Sequence, residues 1–467
     1  MRPARWPLSK VGSTYTLIGA AVLLTVVVAV VVAMILAGRG SLHDAVAAAG
    51  PAPPAATAKP EVVPVADDAP KPTPSGLSAA LKQPLSDPNL GAFTGRVTDA
   101  LTGTQLWEQG ATLPMIPAST NKTLTAAAAL LTLDRNERQT TTVVAADQTR
   151  EPGVVVLVGA GDPTLSSAPP GGATLYHDAA RISDLAAQVR ASGTKVTSIQ
   201  VDTSAFSGPS MAAGWDPADI EGGDVAPIEA IMVDAGRTQP LTPESVRSVT
   251  PALDAGRVLA AALNVDPKAV TIASTPVSDG HQIASVQSAP LMSRLNEMMI
   301  HSDNVMAECI AREVAKATGR TASFSDAVEA VTKTLAAAGI DTSGATLVDS
   351  SGLSVDDRLT AKNLDEVVGA AAGTDHPAMR PLLDSLPIAG GSGTLSNRYI
   401  DDATDAAAGW LRAKTGSLTK INALAGIVTD SSGRVLTFAL MSNDAGPMGQ
   451  VALDALASTL RTCGCTS

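Results

Sequence analysis

Ser119 and Lys122 are spaced as a nucleophile and its base would be at the start of a helix. They are the first and last residues of the segment Ser-Thr-Asn-Lys, and side chains three positions apart lie on one helical face. A serine hydroxyl is a weak nucleophile until a neighbouring base takes its proton, and a buried lysine of lowered pKa can be that base. A helix-capping serine followed by a solvated lysine gives the same pattern. This motif alone therefore does not identify an enzyme.

A second polar motif, Ser302-Asp303-Asn304, lies between two predicted helices. A hydroxyl and an amide on one tight turn can relay a proton and bind a substrate carbonyl. All three residue types also cap helices well, so a purely structural role explains the motif equally.

A third motif, Lys414-Thr415-Gly416-Ser417, ends a predicted strand. A cation beside two hydroxyls suits an anionic carboxylate, and Gly416 would let a substrate backbone approach the strand edge. An edge-strand lysine that opposes aggregation is the structural alternative.

The elements that must position these motifs are a mixture of strands and helices. Strands are predicted at 93–98, 105–108, 141–145, 154–158, 196–201, 411–414, 422–429 and 435–442. Helices are predicted at 120–133, 179–190, 291–300, 305–317, 324–338, 361–371 and 449–460. Strands at both ends with helices between them indicate one mixed domain that is closed by its termini.

Ser-x-x-Lys, Ser-Asp-Asn and Lys-Thr-Gly, in this order, are the combination found in penicillin-recognising enzymes with an active-site serine. The chain resembles the D-Ala-D-Ala carboxypeptidase/endopeptidase family of low-molecular-mass, class C penicillin-binding proteins over residues 76–460. Further similarity to the family, which separates it from β-lactamases, lies at residues 157–165, 206–217, 349–360 and 386–395.

The resemblance implies a mixed α/β, penicillin-binding transpeptidase/β-lactamase-like fold, in which a five-stranded antiparallel sheet is flanked by helices. The catalytic domain would comprise residues 76–139 and 290–467, with an inserted β-rich domain at 140–289. The 183 positions between Ser119 and Ser302 leave room for this insert, although the gap is shorter than is usual in the family.

The resemblance also implies a mechanism that needs neither a metal nor an organic cofactor. Ser119 would attack the carbonyl of the penultimate D-Ala, Lys122 would take its proton, and Ser302 would relay a proton to the leaving group. Backbone N–H groups of Ser119 and Ser417 would form the oxyanion hole. The residues implied in substrate binding are Asn304, Lys414, Thr415, Gly416 and Ser417.

The predicted function is that of a serine D-Ala-D-Ala carboxypeptidase acting on peptidoglycan stem peptides, with β-lactams as covalent inhibitors. A β-lactamase and a non-catalytic wall-binding or penicillin-sensing protein are the alternatives. The motifs do not separate carboxypeptidase from endopeptidase action. Family members often carry Arg after the Gly-Leu-Ser triplet, where this chain has Val355, so the preference for the third stem residue stays open.

Composition excludes other classes of function. The net charge of −12 argues against a nucleic-acid partner, because phosphate binding needs Lys and Arg clusters. Gly159-Ala160-Gly161 lacks the third glycine of a dinucleotide fingerprint. The three cysteines have no zinc-ligand spacing, and their pairing is open.

The N-terminal segment predicts export. Residues 1–14 would be cytoplasmic, 15–37 a transmembrane signal-anchor helix, and 38–75 a Pro-rich extracytoplasmic linker. Arg2, Arg5 and Lys10 precede the apolar run and only Arg39 closely follows it, which favours a cytoplasmic N-terminus. The competing interpretation is a signal peptide cleaved near residue 49, which would release a secreted protein.

Overall fold

A computed structural model of the protein describes residues 68–277 and 280–465. The strands in this part are β1 (Ala92–Asp99), β2 (Gln105–Gln109), β3 (Thr140–Ala145), β4 (Val154–Val158), β5 (Ser198–Asp202), β6 (Val270–Ile272), β7 (His281–Gln287), β8 (Leu411–Leu418), β9 (Ile421–Thr429) and β10 (Val435–Asn443). The helices are α1 (Pro74–Leu81), α2 (Lys122–Thr132), α3 (Ile182–Ala191), α4 (Ala218–Gly222), α5 (Pro251–Leu263), α6 (Leu291–His301), α7 (Asn304–Ala317), α8 (Phe324–Ala337), α9 (Ala361–Ala372), α10 (Pro381–Asp384) and α11 (Gly449–Thr462).

The first sheet joins the two ends of the described chain. It is antiparallel, with strand order β2-β1-β10-β9-β8. Side chains along a strand alternate between its faces, so Leu424 of β9 packs with Leu453 and Leu456 of α11, whereas Ala423 and Ala425 face the helical core. Because β8 is an outer strand, one of its edges is left to face the site.

A second sheet has the order β6-β5-β4-β3-β7 and mixes parallel with antiparallel pairs. Its Val- and Ile-rich strands form a core with α3 and α5, which includes Leu157, Val201, Leu185 and Leu259. All its strands lie within residues 140–289. The described residues from 68 onward nevertheless form one compact unit, so the second sheet belongs to the same body as the first.

The helix that follows the nucleophile is buried on every side. The four alanines Ala126 to Ala129 of α2 are each at most 1% exposed. Methyl side chains let α7, α8 and α9 approach closely, so the low aromatic content is compatible with a dense core. This packing fixes α2, and with it the turn that carries Ser119.

The predicted mixed α/β architecture is confirmed, and the differences are local. The sequence analysis missed α5, β6 and β7, because Gly and Pro residues between them favoured loops. Helix α1 begins at Pro74, inside the range assigned to the linker, and Ala69 is already buried. Cys463 is disulfide-bonded to Cys465, and Cys309 is a buried free thiol.

Within residues 68–277 and 280–465, no helix has the length and apolar content needed to cross a membrane. The predicted anchor at 15–37 and the cytoplasmic segment 1–14 lie outside the described residues, as does the linker up to residue 67.

Candidate active site

Ser119 lies in a short 3-10 turn, Ala118–Asn121, that leads directly into α2. Ala118 has a positive φ of 48°, and its carbonyl oxygen lies where a Cβ on Gly352 would be only 1.9 Å away. Gly352 itself has a φ of +80°, so glycine is required there for two reasons. The turn that carries Ser119 is thereby held against the segment around residue 352.

Lys122 joins the first two motifs. Its Nζ donates to Ser119 Oγ at 2.9 Å, to Asn304 Oδ1 at 2.6 Å and to the carbonyl oxygen of Ser351 at 2.7 Å. The side chain is fully buried, and this burial lowers the pKa of Lys122 to about 8, against the opposing charge of acidic neighbours including Asp349. A buried amine in contact with the serine hydroxyl can act as its base.

The Ser-Asp-Asn motif is a sharp junction between two helices. Ser302 ends α6 in the left-handed conformation, with φ 58°, and Asp303 caps α7 by accepting from the backbone N–H of Met306. Asn304 is held at both ends, because its Nδ2 also donates to the carbonyl oxygen of Asp224, at 3.0 Å. This junction directs Ser302 and Asn304 to the same side.

Asp303 is fixed by residues of the second-sheet region. Its Oδ2 accepts from the hydroxyl of Tyr176 at 2.5 Å and from Arg237 Nη2 at 3.2 Å. Burial favours a raised pKa for this carboxyl, but the charges of Arg237 and Arg247 outweigh it and hold the pKa of Asp303 well below its usual range. Residues of the 140–289 segment therefore hold the helix junction that presents Ser302.

Lys414 joins the second and third motifs. Its Nζ donates to Ser302 Oγ at 2.9 Å and to the carbonyl oxygen of Thr415 at 2.8 Å. The side chain is fully buried, and burial, together with the charges of Lys122 and Arg398, holds the pKa of Lys414 well below its usual range. In this arrangement Lys414 is better placed to move a proton to or from Ser302 than to form an ion pair.

Gly416 brings β8 against the nucleophile turn. A Cβ at this position would lie 2.6 Å from the carbonyl oxygen of Pro117 and 3.1 Å from the Cβ of Ala118. The sequence analysis explained this glycine by the approach of a substrate. The structure adds a different cause, which is that β8 passes too close to the turn for any side chain.

The outer edge of β8 presents a backbone donor to the site. The N–H of Ala413 points away from β9 and donates to the carbonyl oxygen of Pro387, at 3.0 Å. Backbone groups alternate along a strand, so the N–H of Ser417, four residues on, lies on the same edge. Its side chain is exposed. This edge is compatible with the role in the oxyanion hole that the resemblance implies for Ser417.

A buried acidic cluster lies beneath Lys122 and was not assigned from the sequence. Asp349 accepts from the backbone N–H groups of Ser351, Gly352 and Ser354 and from Trp215 Nε1. Burial and the charge of Asp349 raise the pKa of Asp357 to about 10, so Asp357 is a neutral acid at pH 7. The family-like stretch 349–360 was the available signal, but its contact with Lys122 depends on tertiary structure.

All the residues proposed from sequence meet in one place. Lys122 connects Ser119 with Asn304, Lys414 connects Ser302 with β8, and Gly416 packs on the turn before Ser119. Thr415 is buried and Ser417 exposed at the end of the same strand. Their individual roles remain predictions, whereas their convergence is a property of the structure.

Comparison with known proteins agrees with this geometry. Residues 77–243 and 239–460 match the D-Ala-D-Ala carboxypeptidase 3 (S13) family, and residues 1–64 match the family described as Carboxypeptidase Rv3627c-like, N-terminal domain. The chain is similar to carboxypeptidase DacB of Mycolicibacterium smegmatis, with 65% identity, and to carboxypeptidase Rv3627c of Mycobacterium tuberculosis, with 62% identity, over 100% of both chains in each case.

A solved structure shows the same fold. Penicillin binding protein 4 (dacB) from Haemophilus influenzae has a TM-score of 0.66 and 21% identity, covering 82% of this chain and 97% of its own. The fold is thus shared with penicillin binding protein 4, and the site is that of a serine hydrolase. The chain belongs to the D-Ala-D-Ala carboxypeptidase 3 (S13) family. The predicted activity, that of a serine D-Ala-D-Ala carboxypeptidase acting on peptidoglycan, is confirmed.

Proposed function

We propose that Ser119 carries the hydrolysis of the terminal D-Ala of peptidoglycan stem peptides through an acyl-enzyme. The observation on which this rests is the 2.9 Å contact between Lys122 Nζ and Ser119 Oγ, made by a buried lysine whose pKa is lowered to about 8. With this pKa about one such lysine in ten is already neutral at pH 7, as a general base must be.

In the acylation step, Ser119 Oγ bonds to the carbonyl carbon of the penultimate D-Ala while its proton passes to Lys122. The developing oxyanion accepts from the backbone N–H groups of Ser119 and Ser417. The C–N bond then breaks, and the nitrogen of the departing D-Ala receives a proton from Ser302, which recovers one from Lys414. The 2.9 Å contact of Lys414 with Ser302 supports this route.

In deacylation, the oxygen of water bonds to the ester carbon while a proton of that water passes through Ser302 to Lys414, which gave one up during acylation. The C–O bond to Ser119 then breaks, and the serine oxygen takes back the proton that Lys122 holds. Binding of the substrate is assigned to Asn304 for an amide and to Thr415 and Ser417 for the terminal carboxylate. A β-lactam would acylate Ser119 by the same first step and remain as a covalent inhibitor.

Ser119→Ala tests the assignment of the nucleophile. Fluorescent penicillin should label the wild type covalently and leave Ser119→Ala unlabelled, while Ser325→Ala, which alters an exposed serine on α8, should label normally. Mass spectrometry of a muropeptide digest should report free D-Ala from the wild type only. Covalent labelling of folded Ser119→Ala would refute the assignment.

We also propose that residues 15–37 anchor the protein in the cell membrane as a single span, with the catalytic body outside. The support is the apolar run, which has the length of a spanning helix, and the basic residues before it. Full-length protein should remain with the membrane after a salt wash and be cut by protease added outside the cell. An N-terminus found near residue 50 in the mature protein would contradict the anchor.

A further inference from the structure

The short turn Gly393–Leu395 lies between the end of α6 and strand β8. A Cβ on Gly393 would be 2.7 Å from the carbonyl oxygen of Ile300, two residues before Ser302. Leu395 is fully buried, and its carbonyl oxygen accepts from the backbone N–H of Gly390 at 3.0 Å. The turn is therefore fixed against the element that presents Ser302.

Thr394, at the centre of this turn, touches the third motif. Its hydroxyl lies 2.8 Å from the hydroxyl of Thr415, and either oxygen can be the donor. Thr415 is almost completely buried, at 6% exposed, so its hydroxyl has few partners to choose from. The sequence analysis noted the surrounding stretch only as a family similarity and gave Thr394 no role.

The recognition of a carboxylate at this site depends on hydroxyl groups. Lys414 already donates to Ser302 Oγ and to the carbonyl oxygen of Thr415, and burial disfavours its charged form. Arg398, the other cation that acts on Lys414, is paired with Asp454 through both its Nε and its Nη2. The hydroxyls of Thr415 and Ser417 are the remaining side-chain donors of the third motif.

A hydroxyl has one proton to donate, so its direction decides what Thr415 can bind. If Thr394 donates to Thr415 Oγ1, the proton of Thr415 is free to point at a substrate oxygen. A donor to Thr415 also strengthens the bond that Thr415 donates in turn. A carboxylate, which only accepts, gains from this orientation more than a carboxamide, which presents an acceptor and a donor.

We propose that Thr394 is a positioning residue that orients the Thr415 hydroxyl and so sets the preference of the enzyme for substrates with a free C-terminal carboxylate. This inference rests on the proposed function, in which Thr415 binds that carboxylate. Thr394 itself need not touch the substrate.

Two pairs of probes test the inference. One is a stem-like peptide ending in D-Ala-D-Ala as the free acid or as the C-terminal amide, with kcat and KM measured for each. The other is benzylpenicillin and its methyl ester, with the second-order acylation rate measured. In Thr394→Val, kcat/KM for the free acid should fall about three- to tenfold, the range of one lost hydrogen bond, while the values for amide and ester change little.

The controls separate orientation from damage to the fold. Thr394→Ser should restore the wild-type ratio of acid to amide, because it keeps the hydroxyl. Thr104→Val removes a hydroxyl contact of the same 2.8 Å length, to Thr102, in the β1–β2 turn at the opposite side of the sheet. It should leave both ratios unchanged. Thr394→Ala serves the same comparison if valine disturbs the turn.

The outcomes distinguish this inference from the proposed function. A wild-type enzyme that releases no D-Ala from the free-acid peptide would contradict the proposed function. An active Thr394→Val enzyme with an unchanged ratio of acid to amide, or an equal loss on all four probes, would contradict the role of Thr394 alone.

Discussion

Replacing Lys122 by Met should abolish acylation and at the same time remove the rise in stability that the wild type shows between pH 8 and pH 10.5. The fully buried Nζ has three acceptors, and burial lowers its pKa from 10.5 to about 8. Methionine has a similar length and no charge, so it removes the base without leaving a large cavity.

The pKa sets the size of the effect on rate. With a pKa near 8, about one Lys122 in ten is neutral at pH 7 and about nine in ten at pH 9. If neutral Lys122 is the base, the wild-type acylation rate should rise about tenfold from pH 7 to pH 9 and then level off.

The same pKa sets the sign and size of the effect on stability. Lowering the pKa of one lysine from 10.5 to about 8 costs the folded state about 3 kcal/mol at any pH below 8. Between pH 8 and 10.5 the unfolded chain binds more protons than the folded one, so stability rises with pH across this window. Since Lys122→Met also leaves Asn304 and the Ser351 carbonyl without a donor, at a cost of at least about 1 kcal/mol each, the net gain at pH 7 should be at most about 1 kcal/mol.

Two measurements check this prediction. Penicillin acylation rates between pH 6 and 10 report the base, and urea unfolding at pH 7 and pH 10 reports the stability. Lys333→Met, which changes an exposed lysine paired with Glu329, is the control and should alter neither. An acylation rate independent of pH, or a wild type that gains no stability relative to Lys122→Met between pH 7 and pH 10, would refute the reasoning.

Two further predictions concern the packing around the site. Gly416→Ala should slow acylation at least tenfold, because its Cβ would meet the carbonyl oxygen of Pro117 at 2.6 Å. Gly369→Ala, with open space at its Cβ, should acylate at the wild-type rate, and equal acylation rates for the two variants would contradict the close packing of β8. Asp357→Asn should lower the free energy of unfolding in urea at pH 7 by at most about 1 kcal/mol, because an amide resembles the neutral acid. Asp349→Asn should lower it by at least about 2 kcal/mol, and the reverse order would contradict the protonation of Asp357.

The residues of the reacting centre could be predicted from the sequence, because three short motifs contain them and these motifs follow one another in a known order along the chain. The sequence predicts Ser119, Lys122, Ser302 and Lys414 as residues of the site, and the structure brings them together. Individual strands of the first sheet were predictable from their residue patterns, whereas their arrangement as one antiparallel sheet was implied by the family resemblance. The family resemblance supplied the spatial relation that spacing along the chain does not contain.

The supporting residues could not be predicted in the same way. Asp349 resembles any acidic residue in a loop, and only folding brings Asp357 beside it. Thr394 lies 21 positions from Thr415, and nothing in either segment indicates their contact. The helix α5 was missed because its short alanine-rich pattern follows a Gly- and Pro-rich region. Tertiary contacts, which a single sequence does not display, decide all of these.

The two buried lysines differ in their electrostatic surroundings, and this difference assigns their roles. Acidic neighbours, among them Asp349 and Asp303, raise the proton affinity of Lys122 against burial, whereas Lys414 is surrounded by the positive charges of Lys122 and Arg398. Of the two amines, Lys122 is therefore the stronger base, and a protonated Lys414 would be the stronger acid. We infer that during acylation Lys122 receives the proton of Ser119, whereas Lys414 supplies, through Ser302, the proton for the leaving nitrogen. The rising limb in the pH profile should then belong to Lys122 alone, and a rising limb that persists in folded Lys122→Met but disappears in Lys414→Met would contradict this order.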